Sequence, residues 1–250
     1  MKFLGIDLAW SGGWSGVACL TWEGSRLHLV DLKRCLGIPA LLDWIDAHLP
    51  GSSPGVVAVD APTLIPNATG MRLPDRLAHQ YFGHYDAGCY PANLSRPFAP
   101  VTTGFGQSLL ERGFAHAPAL PPRHPARWQI EVFPHPAQIR LFGLSRILKY
   151  KKGSLSQRRP ELMRLREYLQ QVLPSRDPPL VFPQPLPGIP TRLKDLKAVE
   201  DQLDSVVCAY VAAHWWYWGL ARNQVLGDTE NGYIIIPMPE PRESDSVNNS

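Results

Sequence analysis

Glu200-Asp-Gln-Leu-Asp-Ser-Val-Val-Cys-Ala-Tyr-Val-Ala-Ala-His214 sets two acids, Asp201 and Asp204, one helical turn apart at the head of an almost wholly apolar run. At about 100° per residue their carboxylates project about 60° apart and can face one target. Burying two anions beside a core helix is unfavourable unless positive charge compensates. A divalent cation is one such compensation. A plainer account needs only the helix dipole, which favours acids in a first turn. The whole segment from Leu193 to Gly219 reads as a long final helix. Its apolar part, Val206 to Ala221, would span roughly 24 Å, short of the roughly 30 Å hydrocarbon core of a bilayer, and His214 interrupts it. The run is therefore expected inside the protein and not in a membrane.

The acids earlier in the chain give the helix pair its meaning. Lys2-Phe-Leu-Gly-Ile-Asp-Leu-Ala-Trp10 reads as a short buried strand with one acid, Asp7, among apolar residues. Val56-Val-Ala-Val-Asp60-Ala-Pro62 is a second such strand with Asp60 at its end, and Trp128-Gln-Ile-Glu131-Val-Phe-Pro-His135 a third. A single acid at a strand end is commonly a turn residue or a cap. Three of them, joined by an acid pair on a late helix, form a recurrent arrangement.

The intervening segments complete an α/β order. After the first strand, Ser11-Gly-Gly-Trp-Ser-Gly16 turns into a strand over Val17–Trp22, and Glu23-Gly24-Ser25 signals a hairpin into a strand from Arg26 to Lys33. Ile38 to Leu49 has helical periodicity, ended by Pro50-Gly51. Shorter helices are expected over Asp75–Tyr85, Gln107–Arg112 and Pro136–Phe142, and a longer one over Glu161–Leu173. Asn223 to Ile236 suits a closing hairpin around Glu230-Asn-Gly232. The expected organisation is one domain over residues 1–236, with an insertion near 62–127, a basic and proline-rich segment near 140–192, and a disordered tail over 237–250.

At 250 residues, 44% hydrophobic and 19% charged, the chain can bury a substantial core and is not a disordered sequence. Its net charge of +3 is too small to argue for nucleic acid alone. Cys19, Cys35, Cys89 and Cys208 contain no CxxC pair, so reduced thiols fit better than a disulfide framework or a zinc site. Asp7 interrupts the short apolar start, so no secretory signal and a cytoplasmic location are expected.

The order β-β-β-α-β-α-β-α, with acids on the first and fourth strands and the last helix, resembles the ribonuclease H-like fold, a mixed five-stranded sheet flanked by helices. Asp201-x-x-Asp204-Ser-Val-x-x-Ala209 resembles the active-site helix of Holliday-junction resolvases of the RuvC type. Gly5-Ile-Asp7-Leu-Ala, Val59-Asp60-Ala-Pro62, Glu131-Val-Phe-Pro-His135-Pro, Lys149-Tyr-Lys-Lys-Gly153 and Glu200-Asp-x-x-Asp204-Ser are similar to landmarks of the DUF429 family, described as predicted nucleases of that fold. The resemblance implies that the first and fourth strands are neighbours with the last helix beside them, so that Asp7, Asp60 and Asp201 or Asp204 meet. Carboxylates so gathered need a cation, and hard oxygen ligands select Mg²⁺ or Mn²⁺. Two such ions, roughly 3.5–4 Å apart, would activate water and stabilise the leaving oxygen of a phosphodiester. Asp7 would be shared by both ions, Asp60 would bind one, and the helix acids the other. Glu131 joins the cluster, orients a ligand or caps its strand. His135 moves a proton or packs between its two prolines, and His214 reads as a core histidine.

Nucleic acid is the partner this chemistry implies, and junction cutting would imply a homodimer. Nine Lys or Arg residues and one acid lie between Arg140 and Arg166. Lys149, Lys151, Lys152, Arg158 and Arg159 are the phosphate contacts expected there, with Arg72 and Arg76 a second pair. A solvated face accounts for the same charges. Phe142, Tyr150 and Tyr168 suit base stacking or core packing. The glycine turn near Gly12 resembles a phosphate cradle, but no helix start follows it, and a plain β-turn accounts for it. Two other readings remain: an actin-like or sugar-kinase-type ATP phosphotransferase, which normally requires a duplicated domain, and a non-catalytic nucleic-acid-binding module.

Overall fold

Apolar runs with no polar alternation, Phe3–Ile6 and Val56–Val59, make strands buried on both faces, as the centre of a parallel sheet requires. The computed structural model describes residues 1–239 and sets these two runs side by side. Lys2–Asp7 (β1) pairs antiparallel with Trp14–Glu23 (β2), which pairs antiparallel with Arg26–Leu36 (β3). After the helix Gly37–His48 (α1), Gly55–Val59 (β4) returns parallel to β1 on its other side. The helices Leu73–Phe82 (α2) and Ala99–Glu111 (α3) follow. Ala115–His116 (β5) and Arg127–Glu131 (β6) are parallel to each other, and β6 is parallel to β4. Pro134–Phe142 (α4), Leu155–Val172 (α5), the short Leu180–Val181 (β7), and the 26-residue helix Leu193–Trp218 (α6) complete the main layer. Asn223–Asp228 (β8) and Gly232–Pro237 (β9) form a separate hairpin.

The result is one seven-stranded mixed sheet, β5-β6-β4-β1-β2-β3-β7, flanked by helices. It exceeds the five strands expected because β5 and β7 add themselves at the two edges. Each is two residues long, too short to leave a periodic signal. On one face Phe3, Val56, Ala58 and Ile130 pack against α6; on the other Leu4, Ile6, Val57 and Val59 pack with Trp44 and Ile45 of α1 and Phe105 and Leu109 of α3.

Helix α6 approaches the sheet closely. A methyl group on Gly5 would collide with the Ser205 carbonyl and Ala209 amide, and one on Gly16 with the Asp201 carbonyl. Glycine at both positions lets helix backbone lie directly on strand backbone.

Two helices start more than a turn earlier than their sequence suggests. Helix α3 begins at Ala99, where Pro100 suits a first turn; its Thr102-Thr103-Gly104 stretch carries no apolar period. Helix α5 begins at Leu155 through a capping box of Ser154 and Gln157, ahead of Pro160. The four cysteines are free thiols, three of them buried. Among the described residues no helix is long and apolar enough to cross a membrane. From residue 240 onward, the tail expected to be disordered lies outside the described residues.

Candidate active site

Strand alternation decides which acids meet. Side chains two apart share a face, so Asp7 follows Phe3 and Gly5 toward α6, and Asp60 follows Val56 and Ala58. The Asp60 amide donates to the Ile6 carbonyl at 2.8 Å, extending the β1–β4 ladder to the strand end. The two carboxyls are close enough to act on each other's ionisation. Helix α6, seated on Gly5 and Gly16, carries Asp204 to the same place. Asp204 is fully buried, and its Oδ1 accepts hydrogen bonds from the Tyr150 hydroxyl at 2.6 Å and Gln138 Nε2 at 3.2 Å. Its Oδ2 lies 2.9 Å from the Lys151 ammonium, an ion pair without an aligned hydrogen bond.

The electrostatics are those of an anionic pocket with too little positive charge. Burial pushes the Asp7 carboxyl well above the usual carboxylate range, and the neighbouring Asp204 and Asp60 push it further, against the pull of Lys151. Burial likewise raises Asp60 to about 6. Neighbouring buried carboxyls resist ionising together. Burial disfavours the Lys151 charge, but Asp204 and Asp7 outweigh that penalty and raise the ammonium's pKa. His135, at the start of α4, is pushed down to about 4 by burial and by Lys151, which keeps it neutral, and its Nε2 has no partner. Asp7, Asp60, Lys151 and His135 line a cleft of about 320 Å³, together with Trp10, Tyr90, Arg72, Glu131 and others, whereas Asp204 is buried outside its lining.

Asp201 does not join them. It leaves the helix toward β3, where Arg34 meets its Oδ2 at 2.8 Å, while Lys197 meets Oδ1 at 2.8 Å. The pairing is a structural role for a residue expected to be a metal ligand. Glu131 lines the same cleft but is tied to Arg72. In the β4–β6 register it sits opposite Val59, one residue short of Asp60, so its side chain leaves by the other face of the sheet. There Arg72 donates to its two oxygens at 2.6 and 2.8 Å. The same guanidinium holds Asp75 at 2.8 Å. One cation thus serves two buried anions, and burial raises Glu131 to about 7 despite the pull of Arg72.

The basic residues divide in the same way. Arg72, expected to meet phosphate, is buried and forked onto carboxylates at the head of α2. Arg158 is occupied by the Tyr150 carbonyl and Glu200, and Arg159 by the Pro190 carbonyl. Arg76 donates to the Met71 carbonyl. Lys149 pairs with Asp86 on the surface, Lys152 is exposed, and Lys151 enters the acid pocket. Tyr150 is fully buried and so is no platform for a base, while Phe142 and Tyr168 stack on each other with centroids 5.2 Å apart. The Gly12 turn is a hairpin connection closed by the Gly12 amide on the Ala9 carbonyl. His214 is a core histidine bonded to Asn223. Sequence reasoning missed the part played by Tyr150 and Gln138: both contacts with Asp204 span more than 50 residues, and neither side chain stands in a periodic pattern.

Asp7, Asp60 and Asp204 suit a divalent ion in donor type and in surplus negative charge. They are not drawn into a finished cage, because the Lys151 ammonium lies among them. Among the described residues no group of three or more His, Cys, Asp or Glu side chains is close enough to hold a metal ion.

A family model described as "Protein of unknown function (DUF429)" matches residues 5–230. No curated protein and no solved structure matches the chain.

Proposed function

The chain belongs to the DUF429 family, and from that premise we propose that it is a divalent-metal-dependent nuclease of ribonuclease H-like fold, hydrolysing phosphodiester bonds of DNA or RNA. The observation that carries this reading is that Asp7, Asp60 and the Lys151 ammonium line one cleft, with the buried Asp204 paired to that ammonium at 2.9 Å. The central strand order β6-β4-β1-β2-β3, with β2 alone antiparallel to its neighbours, supports the fold assignment.

Asp7, Asp60 and Asp204 are the residues that would hold Mg²⁺ or Mn²⁺, with Asp201 kept outside by Arg34 and Lys197. Bound there, the ion would supply charge stabilisation at the phosphate and a more acidic water. The chain's own residues do the remainder. Tyr150 and Gln138 fix the Asp204 carboxylate in one orientation. Lys151, with a side chain 31% exposed, presents positive charge to an entering phosphate. His135, neutral and with Nε2 unpartnered, is placed to accept a proton inside the cleft.

The test is cleavage of a panel of single-stranded, duplex and branched DNA and RNA in Mg²⁺ and Mn²⁺. Divalent-dependent cleavage that disappears in Asp7→Asn and Asp204→Asn is expected. Turnover of ATP without nucleic acid, or no cleavage in either metal, overturns the proposal.

A further inference from the structure

The acid cleft does not end at Lys151. A second cavity of about 340 Å³ shares Gly88, His135 and Lys151 with it and continues along Asp86, Lys149 and Lys152. The combined trough is aromatic at one end, acidic in the middle and basic at the other. At the aromatic end Tyr90 is 60% exposed. The ring is nevertheless held: Phe98 meets it edge-on at 6.3 Å, and the Arg96 guanidinium lies 5.1 Å from its centroid. Phe98 in turn packs against Trp10 at 4.6 Å, and the Trp10 indole donates to the Asp60 carbonyl at 3.1 Å. The exposed ring is therefore coupled, through two other aromatics, to the backbone of a cleft acid. At the basic end the Lys149 ammonium pairs with Asp86, with both side chains more than half exposed, and Lys152 is open to solvent. An exposed pair of that kind contributes little and yields readily to a phosphate.

From this arrangement we propose that the trough takes a single-stranded polynucleotide, with one unstacked base on Tyr90, a phosphate at Lys151, and the following backbone along Lys149 and Lys152. The inference rests on the hydrolase reading for the identity of the central phosphate, and adds to it the strandedness of the substrate and a residue that selects it. A base inside a duplex is already stacked on both faces and offers none to Tyr90. Aromatic stacking is tolerant of base identity because every base has a π-face, so little sequence preference is expected. A lone mononucleotide would use Tyr90 and Lys151 but leave Lys149 and Lys152 idle.

The test is equilibrium binding by fluorescence anisotropy on the full chain in EDTA, so that no turnover intervenes. Labelled oligothymidylate, oligouridylate and a hairpin duplex of equal length are the probes, with thymidine monophosphate as competitor. The single strands are expected to bind at least about tenfold more tightly than the hairpin, and Tyr90→Ala to remove about tenfold of that affinity while Tyr90→Trp retains it. The double variant Lys149→Gln/Lys152→Gln is expected to lower the salt slope by about 1.4 without altering the single-strand preference. Hairpin binding equal to that of the single strands, indifference to Tyr90→Ala, or competition by the monophosphate at the oligonucleotides' own affinity overturns the inference. The two proposals fail separately. Metal-dependent cleavage indifferent to Tyr90 removes this one and leaves the nuclease, whereas Tyr90-dependent strand binding with no cleavage in any divalent metal removes the nuclease alone.

Discussion

The Tyr150 hydroxyl donates a 2.6 Å hydrogen bond to Asp204 Oδ1 across 54 residues of chain. It joins the loop before α5 to the centre of α6, and the next residue, Lys151, places its ammonium on the other carboxylate oxygen. Asp204 is thus fixed from both sides by consecutive residues. Asp7 is held less firmly: burial and two neighbouring carboxylates work against the pull of Lys151 and Lys197.

That contrast predicts opposite stability effects for two substitutions with the same effect on activity. Asp204→Asn removes the partner of Lys151 in a buried position and should destabilise the protein by about 2 kcal/mol. Asp7→Asn relieves like-charge crowding and should leave stability unchanged or raise it in metal-free buffer. Both should lower cleavage by about a thousandfold, the equivalent of roughly 4 kcal/mol. Urea denaturation in EDTA, paired with the cleavage assay, checks the two signs.

Gly16→Ala is expected to cost about 3 kcal/mol, because the added methyl meets the Asp201 carbonyl and the helix must lift from β2. Activity should fall with stability, since α6 carries Asp204. Gly12→Ala, at a turn glycine with open space around its Cβ position but a φ of 82°, should cost less, about 1 kcal/mol. Thermal denaturation of the pair distinguishes a packing clash from a turn preference.

Much of this site was legible in the sequence. Asp7 and Asp60 end apolar strands, and strand periodicity fixes the face each occupies; Asp204 opens the apolar half of a long helix. Glu131 was not legible in the same way, because its face depends on a register of β6 against β4 that no local pattern specifies. Asp201 and Asp204 are indistinguishable on a helical wheel. Arg34, remote in sequence on β3, separates them by drawing Asp201 away. The edge strands β5 and β7 escaped because two residues have no period. Arg72 reads as a surface cation because nothing in its vicinity announces that Glu131, 59 residues later, will meet it.

Arg72→Met is expected to destabilise the protein by about 3–5 kcal/mol, since Asp75 and Glu131 would remain as buried anions without a counter-ion. Arg72→Lys should rescue little of this, because an ammonium cannot make the two-sided fork. Denaturant midpoints of the two variants check the prediction.

His214 contributes a pH dependence of definite sign. Burial pushes its imidazole down to about 4, while its Nδ1 contacts Asn223 Oδ1 at 2.8 Å. The unfolded chain takes up a proton near pH 6.5 and the folded one only near 4, so this group's contribution is full above about 6.5 and is lost as pH falls toward 4. The loss amounts to roughly 3 kcal/mol. Glu131 and Asp60, raised to about 7 and about 6, act in the opposite direction over the same range. The difference between wild type and His214→Gln isolates the histidine: urea stability at pH 7 and pH 4.5 should converge in the acid.

The most direct measurement is the anomalous signal of a crystal soaked in Mn²⁺. A manganese peak bonded to carboxylate oxygens of Asp7, Asp60 and Asp204, with the Lys151 ammonium moved off Asp204, is the predicted result. A map without manganese at these three residues, in which Lys151 still rests on Asp204, would contradict a metal-dependent site.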